Sequence, residues 1–403
     1  MNMSEILSIL LLLLLAPILA ANAFFVVEIA AGLARRRAAP TLLDVGEVAI
    51  VIPAHDEKAV IGETLRRLEA ALGTGMRVLV VADNCTDDTA AIARSCGVEA
   101  IERHDPARRG KGFALAFARD HLLAAPPSAV VVFDADCHID RLSLERLVAL
   151  SAATGQATQA VYLFEPDAAA APMVQISSFA FLIKNLVRQR GLQRLAGRVH
   201  LTGTGMCLPW PQFAAADLAT ASIVEDLRLG LELAECGVPP LLVDDSIVWS
   251  THASASQTLG QRSRWEGGFL ATMRATAPAL LARGLRRGSL GTVLAGFDLL
   301  VPPLALLMMI NAGVLAATVL FGLFGLTGWL PALVLVGLGL LEIVVLLLAW
   351  WREGRTTLSG RALLSIPGYA LWKLPMYAGL VRKGAPATWN RTERASETNR
   401  EAP

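Results

Sequence analysis

Between Ile6 and Val27 the chain is almost wholly apolar. At about 1.5 Å of helical rise per residue, such a run is long enough to cross the roughly 30 Å hydrocarbon layer of a bilayer. Arg35-Arg36-Arg37 follow it. Positive charge after the apolar stretch places its C-terminal end on the cytosolic side. It also argues against a cleaved signal peptide, in which the charge comes first and the apolar run is shorter. The expectation is an N-terminal transmembrane anchor over residues 1–35. Two more apolar runs, Leu290 to Phe324 and Trp329 to Trp351, are joined by Gly325-Leu326-Thr327-Gly328 and read as a transmembrane helical hairpin over 289–352. Arg283, Arg286 and Arg287 flank one side and Arg352, Arg355 and Arg361 the other, which puts both ends of the hairpin, and residues 36–289 with them, in the cytosol. The first run exceeds the length of one crossing and contains Pro302-Pro303, so it is tilted, kinked, or begins at the interface.

Leu363 to Leu380 is apolar too, but it carries Lys373 at its middle and prolines at 367 and 375, and Arg382, Lys383, Arg391 and Arg394 follow. Residues 362–403 are therefore expected to be an interfacial or re-entrant segment with a basic cytosolic tail. Glu342, inside the second hairpin helix, is a costly group at membrane depth. It points either to a functional partner or to a protonated or locally paired side chain without a role. A content of 54% hydrophobic and 18% charged residues agrees with a membrane protein. The formal net charge of +1 supplies no basic field for nucleic acid. The five cysteines (Cys85, Cys96, Cys137, Cys207, Cys236) lack metal-site spacing and read as reduced cytosolic thiols.

Residues 45–256 have a different character. Short β-branched runs at Val48–Ile52, Val78–Ala82, Ala100–Glu102 and Val130–Phe133 alternate with helical patterns, the signature of an α/β domain with a mostly parallel sheet. Ile61, Leu65, Leu68 and Leu72 mark one helix; Phe113, Leu115, Phe117 and Leu122 mark another more loosely. Ligands of such sheets bind at the carboxyl ends of the strands. Polar clusters follow three of these runs: Pro53-Ala54-His55-Asp56-Glu57, Asp83-Asn84 and Asp134-Ala135-Asp136. Residues 166–172 are Ala/Pro-rich and read as a surface connection.

Asp134 and Asp136 leave a strand end together and have the chemistry to hold Mg2+ or Mn2+ against a diphosphate, neutralising charge on a departing nucleotide. An isolated Asp-x-Asp also serves as a turn former. Glu57 and Asp83 end neighbouring strands where a base and ribose would lie, although Asp83-Asn84 and Asp87-Asp88 also suit the N-terminal turn of the next helix. Gly110-Lys111-Gly112 opens a helix, where backbone N–H groups and a lysine can meet phosphate; the spacing is not that of a Walker loop. Asp226, in Ser222-Ile223-Val224-Glu225-Asp226, is either a general base toward an acceptor hydroxyl or a helix cap. Gln261-Arg262-Ser263-Arg264-Trp265 lies in 257–288, expected to be interfacial helices, where arginines can clamp pyrophosphate and the indole can pack at the bilayer or under an acceptor. The bland alternative is a basic helix lying in the interface.

In this order the motifs resemble those of the membrane-bound family-2 glycosyltransferases, the branch that includes cellulose, hyaluronan and poly-N-acetylglucosamine synthases and ceramide glucosyltransferase. The resemblance covers roughly residues 45–275 and adds Gly203-Thr204-Gly205 to the set, with Gln261 to Trp265 matching the QxxRW signature. It implies a GT-A type fold, inversion at the anomeric carbon, a UDP-sugar donor and a divalent metal, Mg2+ or Mn2+. By the same resemblance Asp134 and Asp136 hold metal and diphosphate, Glu57 and Asp83 meet the nucleoside, Asp226 is the base, and Arg264 with Trp265 serve diphosphate and acceptor. Pro53, His55, Asn84, Lys111, Gly203, Thr204, Glu225, Gln261 and Arg262 complete the substrate-binding set. Few membrane segments and Val224 in place of the usual threonine set the chain apart from the polymer synthases. The expected activity is sugar transfer to a lipid-linked acceptor in exopolysaccharide or glycolipid synthesis at the bacterial inner membrane, alone or within a polysaccharide assembly complex. The alternatives are a processive synthase and an inactive scaffold or nucleotide sensor.

Overall fold

The computed structural model describes residues 2–34, 45–220, 222, 224–251 and 255–384. Arg35-Arg36-Arg37, Ile223, Arg391 and Arg394 lie outside the described residues. The chain divides into two compact units, one of residues 1–34, 167–196 and 269–384, the other of 35–166, 197–268 and 385–403.

The second unit is built on a sheet of eight strands: β1 Val48–Ala54, β2 Met76–Asp83, β3 Glu99–Arg103, β4 Ala129–Val132, β5 Cys137–Ile139, β6 Thr158–Phe164, β7 Met206–Pro209 and β8 Leu241–Ser250. Their order across the sheet is β3-β2-β1-β4-β7-β6-β8-β5. The first four in that order are parallel; β7 runs antiparallel to β4 and β6, β6 and β8 are parallel, and β5 closes the edge antiparallel to β8. This is the mixed, largely parallel α/β architecture expected from the sequence. Val48 to Ile52 are all fully buried, as a central strand covered on both faces requires. Each such Val or Ile contributes about 1.5–3 kcal/mol on leaving water.

Ile61, Leu65 and Leu68 are the buried face of the helix Ile61–Ala71, as their spacing predicts. The helix Lys111–Leu122 differs from expectation. Alanines 114, 116 and 118 are buried beside Leu115 and Leu122, while Phe113 and Phe117 are half-buried. Small side chains let this helix lie close on the sheet, so its contact face carries little hydrophobic bulk for a periodicity to register.

The first unit is helical. Met3–Gly32, Leu304–Leu323 and Leu330–Gly354 are long and apolar enough to cross a membrane. Pro302-Pro303 ends the shorter helix Leu290–Leu300 before Leu304–Leu323 begins, which resolves how the long apolar run is accommodated. Residues 172–196 form a continuous helical stretch with a π-helical turn at Ile183–Arg188, and they pack against Met3–Gly32 so closely that a Cβ on Gly32 or Gly191 would strike the backbone of Val187 or Glu28. Arg188 bridges Glu28 and Asp298 at 2.6 Å each, and Arg190 meets Glu353 at 3.0 Å. Glu342 accepts from Asn311 Nδ2 at 2.9 Å, and Asn311 exchanges side-chain hydrogen bonds with Asn22 at 2.8 and 2.9 Å. The costly carboxyl is thus tied locally to two other helices. Lys373 is buried between the rings of Tyr369 and Tyr377 on the helix Ile366–Lys383.

Candidate active site

β1, β2 and β4 end side by side. Register pairs Pro53 with Val81 and Ala54 with Ala82, and on the other flank Val51 with Val132, so the residues following each strand emerge at one rim of the sheet.

At the β1–β2 side, His55 Nδ1 donates to the carbonyl oxygen of Asp83 at 2.7 Å, which fixes its tautomer because a carbonyl only accepts. Asp56 and Asn84 both take left-handed backbone, with φ of 54° and 52°, uncommon for residues other than glycine. The Glu57 amide donates to Thr89 Oγ1 at 2.8 Å, holding that turn against the next helix. Asp83 is buried, and its Oδ1 accepts from Arg103 Nη1 at 2.6 Å and from Asn84 Nδ2 at 3.0 Å. Arg103 also reaches Asp105 and the Arg108 carbonyl, and its guanidinium lies over the Phe113 ring at 5.5 Å. Nothing in the sequence pattern singles out Arg103; it stands across from Asp83 only through the β2–β3 register.

At the β4 side, the Asp134 amide donates to Thr204 Oγ1 at 3.1 Å, and the Gly205 amide to the Val132 carbonyl at 2.9 Å. The Gly203-Thr204-Gly205 turn is held from beneath by Gln159, buried in β6, which accepts from the Thr202 amide at 2.9 Å and donates to the Thr204 carbonyl at 2.8 Å. Gly203 has φ of 90°, and a Cβ there would lie 3.1 Å from Asp226 Oδ2 and 3.6 Å from Lys111 Nζ. Lys111 Nζ forms an ion pair with Asp134 Oδ1 and donates to the Gly203 carbonyl at 2.8 Å. Gly112 makes room for the backbone of Leu218 and Thr220, leading the chain toward Glu225 and Asp226. Asp226 Oδ1 accepts from the Leu227 amide at 2.7 Å. Lys111, Asp134, Gly203, Thr204 and Asp226, dispersed over more than a hundred positions of sequence, therefore share one corner of the rim.

The electrostatics agree with this crowding. Burial works against the charged form of Lys111, but Asp134, Glu225 and Asp226 more than offset it and hold the ammonium well above the usual lysine range. The Glu225 carboxyl is pushed up by burial first and by Asp226 second, against the opposing pull of Lys111.

Asp134, Asp136 and Cys137 offer ligand atoms within 4.8 Å of one another. The Cys137 thiol is pushed well up by burial, then by Asp136 and Asp134, and so stays protonated. That leaves two hard carboxylates, a donor set that fits Mg2+ or Mn2+ and not a thiophilic metal. Tyr162, whose hydroxyl is also pushed up by burial, Cys137 and the two aspartates, lies on β6 two residues before Phe164. The Arg262 guanidinium lies over the Phe164 and Trp265 rings at 5.4 and 5.2 Å. Gln261 and Arg264 are half-buried on the same long helix, Ala255–Arg287, and burial draws Arg264 below the usual arginine range. Through Phe164, Arg262 and Trp265 meet the end of β6.

A family model described as "Glycosyltransferase like family 2" matches residues 46–268. An uncharacterised glycosyltransferase of Mycobacterium tuberculosis is 37% identical over 102 residues, which are 25% of this chain and 42% of that protein's length. The glycosyltransferase AglD of Haloferax volcanii is 37% identical over 122 residues, covering 28% of this chain and 19% of AglD. The chain thus spans less than half the length of each of these relatives. Among solved structures, a mannosyltransferase of Pyrobaculum calidifontis in complex with GDP-Man and Mn2+ superposes with a TM-score of 0.56, covering 91% of this chain and 99% of that one. At 19% identity, this likeness is one of fold.

Proposed function

The chain belongs to glycosyltransferase family 2 with a GT-A type fold, and on that premise we propose that it moves a sugar from a nucleoside-diphosphate sugar to a lipid-linked acceptor held at the membrane, with inversion at the anomeric carbon. The observation that carries this reading is the meeting of Asp134 and Asp226 at Lys111. A donor-side carboxylate and a candidate base stand within reach of one sugar.

In this mechanism Asp83, His55 and Glu57 receive the nucleoside, with Arg103 and Asn84 fixing the Asp83 carboxylate. Asp134 and Asp136 would hold a divalent cation, which when bound supplies Lewis-acid neutralisation of the departing diphosphate. Asp226 takes the proton of the acceptor hydroxyl as its oxygen attacks the anomeric carbon, and the bond to the diphosphate oxygen breaks on the opposite face. Oδ1 of Asp226 is anchored by the Leu227 amide, which aims Oδ2 past Gly203 toward that corner. Arg262, Arg264, Trp265 and Gln261 serve the diphosphate and the acceptor.

Three helices long and apolar enough to span a bilayer support a membrane-held acceptor, and the arginines at 283, 286, 287, 352 and 355 support a cytosolic site at a bacterial inner membrane. Family resemblance favours a UDP-sugar. The mannosyltransferase neighbour, solved with GDP-Man and Mn2+, makes guanosine donors the comparison to run. The test is incubation of the purified full chain with labelled UDP- and GDP-sugars, Mn2+ and lipid extract. A labelled lipid-soluble product is expected. High-mass labelled polysaccharide marks a processive synthase instead, and no product from any donor contradicts the reading.

A further inference from the structure

Resting on the reading of Asp134 and Asp136 as the donor-side carboxylates, we propose that Lys111 is an internal counter-ion that disfavours metal alone and yields the site when a nucleoside diphosphate arrives. Metal and nucleotide then bind cooperatively.

One carboxylate oxygen of Asp134, Oδ1, is already occupied by the Lys111 ammonium. The pair is largely enclosed, with the lysine side chain 13% and the aspartate 32% exposed. A dication entering beside Asp136 would have to compete with this ammonium for Asp134, and like-charge repulsion between them offsets part of the gain of the added carboxylate contact. Lysine is suited to step aside: its charge is a point on a flexible four-carbon stem, and its second bond goes to a neutral carbonyl, that of Gly203. A diphosphate offers the ammonium a new anionic partner at the moment the cation claims Asp134. Each ligand therefore removes an obstacle to the other, and the coupling must be equal in both directions.

The exchange also reaches the base. Gly203 lies between the ammonium and Asp226, with a Cβ position 3.6 Å from Lys111 Nζ and 3.1 Å from Asp226 Oδ2. When the lysine leaves the Gly203 carbonyl, the cation that faces Asp226 across this residue leaves with it.

Mn2+ binding to the full-length protein in detergent, followed by the electron paramagnetic resonance of free Mn2+ with and without UDP or GDP, tests this directly. In the unaltered protein, a nucleoside diphosphate should tighten Mn2+ binding by about tenfold or more, and Mn2+ should tighten nucleotide binding equally. Lys111→Met should tighten binding of Mn2+ alone by about tenfold while weakening binding of UDP or GDP without metal. Lys111→Arg, which keeps the charge, should retain weak binding of metal alone. Absence of coupling in the unaltered protein overturns the proposal without recourse to any variant. So does Lys111→Met binding Mn2+ alone no better than the parent while still binding the metal–nucleotide pair. If Mn2+ binds as well to Asp134→Asn as to the parent, or to none of the proteins with either nucleotide, the donor site itself is misassigned and the proposal fails with it.

Discussion

The two units both enclose acidic side chains, and they do so in opposite ways. In the helical unit, Glu28 and Asp298 share one arginine, Arg188, and Glu342 is tied to Asn311, itself paired with Asn22. The partners come from packed helices and are short of room to move, as the contacts at Gly32 and Gly191 demonstrate. At the rim of the sheet, Asp134 is met by a single lysine on a flexible stem, with two further carboxylates nearby. Charges closed by permanent partners hold helices together. A charge closed by an exchangeable partner is available for a ligand.

Substitutions can separate these cases. The largest effect is expected for Arg188→Met, which removes the guanidinium that bridges Glu28 and Asp298. Thermal unfolding in detergent should report a loss of about 3–5 kcal/mol, the range for breaking a buried pair from one side. A near-neutral result would mean that these carboxyls share a proton and do not need the arginine. Next comes Arg103→Met at the rim. Asp83 loses its charged partner, so nucleoside diphosphate binding measured by calorimetry should weaken by about tenfold, with a stability cost of about 1–3 kcal/mol. Unchanged affinity would take Asp83 out of the nucleotide site. Asn311→Leu should cost only about 0.6–1.7 kcal/mol, the scale of polar contacts between membrane helices, and should leave nucleotide binding unaltered.

A further effect is read through pH. Burial and Asp226 hold the Glu225 carboxyl above the ordinary carboxylate range in the folded protein. Folding therefore favours its proton. This contribution is fully present below the ordinary glutamate value and is lost as pH rises through the raised folded value. Unfolding midpoints of the parent should fall relative to those of Glu225→Gln over that upward window. Parallel pH profiles would show that Glu225 keeps its charge at the rim.

Much of this contrast was legible in the residues themselves. The strands ending in Pro53 to Glu57, Asp83-Asn84 and Asp134 to Asp136 announce themselves because each is a short β-branched run closed by polar residues, and their parallel order brings those ends together. The turn at Gly203 and the helix start at Asp226 were recognisable as motifs but not as neighbours of Lys111. Their meeting depends on β7 running antiparallel beside β4 and on the close passage at Gly112. Strand β6 is not marked in the same way, because Thr158 and Val161 are its only β-branched residues and they are separated, leaving no short β-branched run to detect. With it went Gln159, Tyr162 and Phe164. Arg188 was missed for a different reason: its partners Glu28 and Asp298 lie 160 and 110 residues away, and no local pattern links them.

Sugar transfer and donor binding measured on one sample of Asp226→Asn bear most directly on the claim that the rim carboxylates serve a single reaction. The expected result is a fall of about 10²- to 10⁴-fold in labelled lipid product, the scale of a lost general base, with binding of the donor and Mn2+ preserved. Transfer at the parental rate would remove Asp226 from the chemistry and contradict the account.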